Sequence, residues 1–190
     1  MMNIPDDGLK GANKMKYEIT IESLPEKVYL AIKGYMSWHE ITPDEYPVWE
    51  SKYGFPNKEL IEKLKNTSGA SEVYSLFCNS CVDDEQFSWV SGDDIACENF
   101  NNAQAGDGFV IIRLTPSDYC KIIYSYGSEM TGEQAAKEAD EYFWNEWLKN
   151  NPYKSKIEGE LANSPDTAVM TLYDEDSKRI ITWHPIERIK

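Results

Sequence analysis

Two stretches of this chain share one pattern, and that repetition constrains the fold more than any other feature. Around Pro25 the sequence reads YEITIESLPEKVYLAIKG (17–34), and around Pro116 it reads FVIIRLTPSDYCKIIYSYG (109–127). Each is an apolar run, a polar break at a proline, a second β-rich run and a glycine stop. The prolines lie about half the chain apart. Downstream of each copy the same elements recur in order: a tryptophan-bearing helix, a strand, then a strand carrying another tryptophan. Self-similarity of this kind is read before anything else. Two copies of one small unit predict a pseudo-two-fold symmetric molecule with a seam between its halves, where pockets tend to form.

Residue patterns fill in the two units. In the first, residues 16–23 and 26–34 alternate as strands. Thr42-Pro43-Asp44-Glu45 reads as a capping box, and Pro47 disturbs that first turn. A helical region then runs toward Lys65, broken at Gly54-Phe55-Pro56. Glu72–Asn79 reads as a strand, and 87–90 with 94–100 as a hairpin turning at Ser91-Gly92. The second unit places strands at 109–114 and 118–126. A helix opens at the Thr131–Gln134 capping box and runs to about Asn150, with Ala135, Ala136, Ala139, Phe143, Trp147 and Leu148 at helical spacing. A closing hairpin spans 167–173 and 179–184. The expected fold class is α+β: duplicated strand–helix–strand–strand units forming antiparallel sheet, with helices on one face. Residues 1–15 read as a flexible leader, 16–100 and 109–190 as the two pseudo-repeats of one domain, and 101–108 (NNAQAGDG) as their linker.

Composition narrows the function. The 190 residues carry a net charge of −14, which argues against direct nucleic-acid binding and leaves cationic ligands or a basic protein partner as the sharper expectations. No apolar run approaches the roughly 20 residues of a membrane span, and the first fifteen lack a signal-peptide core, so a cytoplasmic location is expected. Cys78-Asn-Ser-Cys81 is a lone C-x-x-C. Without a second pair or paired histidines it reads as small side chains at a strand end, so neither metal nor cofactor is expected. There is no G-x-S-x-G, P-loop or H-E-x-x-H motif and no legible nucleophile–base–orienter set, which favours binding over catalysis.

Five stretches together resemble the GyrI-like domain, also known as the effector-binding domain of AraC- and MerR-type bacterial transcription regulators. They are IESLPEKVYLAIKG (21–34), FSWVSGDDI (87–95), LTPSDYCKIIYSYG (114–127), YFWNEWLKNNPY (142–153) and ITWHPIERI (181–189). The likeness lies in their order and spacing and covers nearly everything from Tyr17 onward. It implies a cleft between the halves that takes small apolar, aromatic or cationic molecules. Residues 1–16 are too short for a DNA-binding module, so a stand-alone member is expected, a sensor related to transcription regulators. The alternatives that the family suggests are a small xenobiotic hydrolase, which needs a carboxylate and a tyrosine facing one cleft, and a DNA-gyrase-inhibitor-like module that binds a protein. Many members place a glutamate at the pocket base, two residues before a tyrosine on the penultimate strand. Here Thr171 stands at that position before Tyr173, and Glu98, Glu141 or Glu146 are the candidate replacement acids.

The expected ligand-binding set is Trp49, Trp89, Phe143, Trp147, Thr171, Tyr173 and Trp183. Trp89 and Trp183 occupy corresponding places in the two halves, as do Trp49 and Trp147 on the helices. Each aromatic is also a candidate core residue. No catalytic residue is assigned, and His39 and His184 receive no chemistry.

Overall fold

The computed structural model describes residues 17–37, 39–77, 85–88, 90–100, 105–106, 108–157 and 166–190. In chain order the elements are β1 (Tyr17–Leu24), β2 (Lys27–Ile32), β3 (Met36–Ser37), α1 (Tyr46–Tyr53), α2 (Lys58–Ser68), β4 (Tyr74–Phe77), β5 (Val90–Ser91), β6 (Asp94–Glu98), β7 (Val110–Leu114), β8 (Ser117–Ser125), α3 (Gly132–Tyr142), β9 (Tyr153–Ser155), β10 (Val169–Asp174) and β11 (Arg179–Arg188). Cys78, Cys81 and Trp89, and most of the expected linker, lie outside the described residues.

Neither copy of the repeated stretch folds back on itself. Proline has no N–H for a ladder, so Pro25 and Pro116 each end one strand and free the next to take another partner. β1 pairs with β8 of the second copy, from Tyr17↔Tyr124 to Leu24↔Ser117. β7 of the second copy pairs with β2 of the first, from Lys27↔Leu114 to Ala31↔Val110. The two copies are therefore interlocked. The main sheet is antiparallel and runs β1-β8-β11-β10-β4-β6-β2-β7, with β9 added on β11. Exchanging first-half strands for their second-half counterparts returns the same order read from the other end. The centre of that symmetry is the β4·β10 ladder, where Ser75 faces Thr171.

One row of residues crosses the sheet through this centre: Ile19, Ile122, Thr182, Thr171, Ser75, Ile95 and Ile32, each the register partner of the next. Neighbours across a ladder share a face, so the row marks the side on which the helices sit. Its isoleucine ends lie beneath them. Ile19 and Ile122 pack with Ala135, Ala139 and Phe143 of the α3 region, and Ile95 and Ile32 with Leu60 and Leu64 of α2. The helices start and stop where local chemistry dictates. Thr131 and Gln134 form the expected capping box of α3. Asn57 caps α2, accepting from the Leu60 N–H at 2.9 Å, and Gly69 closes it at φ 74°. In the upstream turn, Thr42 instead donates its N–H and hydroxyl to the Glu45 carboxylate, and α1 opens at Tyr46 beside Pro47.

Three expectations from the sequence change. The hairpin at Ser91-Gly92 does not form: β5 pairs with β3 in a separate two-stranded sheet, while β6 joins the main sheet between β4 and β2. The last helix widens into a π segment at Phe143–Trp147 before a final turn at Leu148–Asn150. β11 reaches Arg188, long enough to pair with β9, a strand that the residue pattern alone does not predict.

A candidate ligand groove at the centre of the sheet

The middle of the row is polar where both ends are apolar, and a groove of about 320 Å³ opens there. Thr171, Tyr173 and Val169 of β10 and Phe77 of β4 form its floor. Ala136, Asp140 and Trp144, spaced four apart on one helical stripe, form one wall together with Lys137, and Asp93 closes the opposite side. A larger cavity of about 710 Å³ lies at the open end of β10, where Arg179 pairs with Asp174 at 2.7 Å and Glu72 accepts from Tyr74 at 2.9 Å. In the smaller groove two carboxylates stand together with Trp144, Tyr173 and Phe77.

Its two acids are held from outside the sheet. Asp93 accepts a hydrogen bond from the Ser75 hydroxyl. Its backbone is fixed by the next residue: buried Asp94 pairs with Lys33 at 2.7 Å and accepts from the Gly34 N–H at 3.0 Å. Asp140 accepts from the Trp144 indole N–H at 3.2 Å. Burial against the groove wall raises its carboxyl above the ordinary range, partly offset by that indole bond and reinforced by the charges of Glu141 and Asp93, although half of the side chain is exposed. Tyr173 is likewise raised, by desolvation first and by Asp93 and Glu133 next, so its phenol is protonated at neutral pH.

Behind Asp140 lies His184, 1% exposed and stacked on Phe143 at 3.9 Å between ring centroids. Its Nδ1 is 3.9 Å from Asp140 Oδ1, but burial depresses the imidazole to about 3, so it is neutral at pH 7 and the contact is no ion pair. Neither ring nitrogen has a hydrogen-bond partner among the described residues. The unfolded chain takes up a proton near pH 6.5 that the folded chain refuses until about pH 3. Stability from this group is therefore complete above pH 6.5 and falls on acidification, by at most about 1.4 kcal/mol per pH unit. Urea midpoints from pH 7 to 4 are expected to fall more steeply for the native chain than for His184→Leu. Equal slopes would assign the acid sensitivity to other groups.

Six of the seven expected site residues are among those described, and they separate. Thr171 and Tyr173 line the groove. Phe143 and Trp147 are buried in the core beneath the helix, Trp147 stacked on Tyr153. Trp49 is buried with Tyr53, Phe87 and Val90 around the small β3–β5 sheet. Trp183 projects to the opposite face, where its indole N–H donates to Glu22 and Lys121 lies over its ring. Alternation on β11 accounts for this: Thr182 and His184 face the helices, so Trp183 cannot. Of the candidate replacement acids, Glu98 is tied to Lys27 at 2.8 Å, and Glu141 and Glu146 sit on other parts of the helix surface. Asp93 and Asp140 stand in the groove instead. The Ala136–Asp140–Trp144 spacing was a legible signal for the second acid; nothing local marked the first.

No family model and no curated protein matches this chain. Solved structures do. A cryo-EM structure of the EcmrR–DNA complex aligns over 92% of this chain with a TM-score of 0.56 at 10% identity. The chain spans 59% of that protein's length. The crystal structure of the EcmrR C-terminal domain aligns over 92% of this chain and all of that one, with a TM-score of 0.50 at 13% identity. SAV2435 bound to tetraphenylphosphonium aligns over 90% and 94%, with a TM-score of 0.53 at 12% identity. At such identities the likeness is one of fold, and that fold is consistent with the GyrI-like domain that the sequence resembles. Among the described residues no helix is long and apolar enough to cross a membrane.

Proposed function

We propose that this chain binds small aromatic or lipophilic cations in the groove between α3 and the β4·β10 seam. The observation that carries this reading is the pairing of two carboxylates, Asp93 and Asp140, with the aromatic walls Trp144, Tyr173 and Phe77. Carboxylates supply the countercharge, and aromatic faces attract cations through their quadrupoles. The acid that a pocket-base glutamate would bring is supplied from the side, so Thr171 does not remove the site's negative character. A groove of about 320 Å³ is at the small end for ligand sites. The fold shared with SAV2435, solved with tetraphenylphosphonium, and with the EcmrR C-terminal domain supports an effector-binding role. Tetraphenylphosphonium and phenylbutylammonium are the probes. At saturation, at least one is expected to raise the melting temperature by a few degrees and to quench tryptophan fluorescence through Trp144. No shift and no quenching with either would remove the reading.

A hydrolytic reading has one supporting observation: Asp140 and Tyr173 face the same groove. The raised Tyr173 phenol works against it as a nucleophile or base. Turnover of chromogenic aryl esters that Tyr173→Phe abolishes would favour it over simple binding.

A further inference from the structure

We propose that the groove selects primary ammonium ions over quaternary ones, and that Thr171, Asp93 and Asp140 read the N–H donors. The proposal rests on the cation-binding reading above and names the class of cation.

Among the described residues, six buried side-chain polar atoms lack a hydrogen-bond partner: Trp49 Nε1, Thr167 Oγ1, Arg179 Nε, Thr182 Oγ1 and both ring nitrogens of His184. Two of the six, Thr182 Oγ1 and His184 Nδ1, neighbour residues that line this groove. Folded proteins rarely leave such atoms unpaired, and a cluster of them marks where a partner belongs. Thr182 is 2% exposed and is the register partner of Thr171, whose side chain lines the groove on the same face. His184, 1% exposed, directs Nδ1 to within 3.9 Å of Asp140 Oδ1, and Asp140 lines the groove. Thr182 Oγ1 and His184 Nδ1 each therefore stand one residue behind a group that a ligand can touch.

A primary ammonium completes this arrangement. It carries three donors and no acceptor. Asp140, Asp93 and the Thr171 oxygen are three acceptors around the groove. With Thr171 accepting from the ligand, its own hydroxyl proton is free to donate to Thr182 Oγ1. Behind the carboxylate, the neutral His184 Nδ1–H, 3.9 Å from Asp140 Oδ1, is the nearest donor to the oxygen that the ammonium leaves free. The apolar remainder of the ligand lies on Trp144 and Phe77. A trimethylammonium or phosphonium has the charge but no donor, so it leaves the hydroxyls unpaired, and a site built to hydrogen-bond discriminates against such an analogue.

Calorimetric titration of the full chain with phenylbutylammonium and its N-trimethyl counterpart tests this. The primary amine is expected to bind at least about tenfold tighter, one charge-assisted hydrogen bond being worth about that factor. Thr171→Val, at a half-buried and nearly isosteric position, is expected to reduce that ratio to about threefold or less, mostly by weakening the primary amine. Thr182→Val is expected to narrow it as well, and Thr171→Val carries the test if that variant does not fold. A trimethyl compound that binds as tightly as the primary amine overturns the selectivity and leaves the cation groove standing. So does a Thr171→Val protein that keeps the full ratio. Failure of both compounds to bind overturns the groove reading itself.

Discussion

Gly34→Ala is expected to lower folding stability by about 3 kcal/mol, the upper range for forcing extra volume into a packed site. A β-carbon at this position would lie 1.7 Å from the Asp93 carbonyl oxygen, which is backbone and cannot swing aside. The reverse face is close too: a β-carbon on Gly92 would meet the Gly34 carbonyl carbon at 3.0 Å. The two glycines let the chain leaving β2 and the chain entering β6 touch. Buried Asp94 locks that contact through the Gly34 N–H and the Lys33 ammonium. Gly106→Ala is the control, since nothing lies within 4 Å of the added carbon, and it is expected to stay within about 0.5 kcal/mol of the native chain. Denaturant midpoints would measure both. Because the clash falls on the residue that carries a groove acid, Gly34→Ala protein that still folds is also expected to bind cations more weakly. A Gly34→Ala chain as stable as native would mean that the two loops part without cost.

Loss of both groove acids is the second large effect. Asp93→Asn with Asp140→Asn is expected to weaken binding of tetraphenylphosphonium or phenylbutylammonium about a hundredfold, roughly tenfold for each charge. Asparagine keeps the shape and the hydrogen bonds to Ser75 and Trp144, so the readout is charge rather than packing. Glu146→Gln is the control: it removes a charge from the same helical region, but Glu146 lies on another part of its surface, outside the groove. Acid should imitate the double variant. The Asp140 carboxyl is raised in the free protein, so cation affinity holds at neutral pH and declines on acidification before an ordinary aspartate would titrate. If affinity in the double variant is unchanged, the aromatic walls alone hold the ligand.

Much of the architecture was legible because it is written in local terms. The capping box at Thr131, the break at Gly54-Phe55-Pro56 and the alternation of both repeated stretches each act within a few residues, and each element stands close to its expected place. Pairing partners were not legible in the same way. Whether β1 binds β2 or β8 depends on residues about a hundred positions away, and nothing around Leu24 or Pro25 states the choice. The site divided along the same line. Thr171 and Tyr173 were reached through the resemblance, which points to one strand face. Phe143, Trp147 and Trp49 were drawn by aromatic character, and the two tryptophans also by their corresponding places in the repeats, neither of which can tell a wall from a core. Asp93 entered the groove through a loop whose path is set by glycine contacts across space, and exposed aspartates in loops carry no local mark of function.

The interlocking of the two copies bears on how the molecule comes into being. Ser23 and Asp118, bonded across β1 and β8, are 95 residues apart in sequence. During synthesis β1 leaves the ribosome many seconds before its partner exists, at rates of about 5–20 residues per second. β2 has one neighbour in β6 but waits for β7 on its other side. The first half therefore cannot complete its sheet as a co-translational unit. Contacts of this span make folding slow, and an unpaired β1 edge is exposed for that interval. The alternating glutamates Glu18 and Glu22, with Thr20 between them, keep that waiting strand charged and hydrated while its partner is still being made.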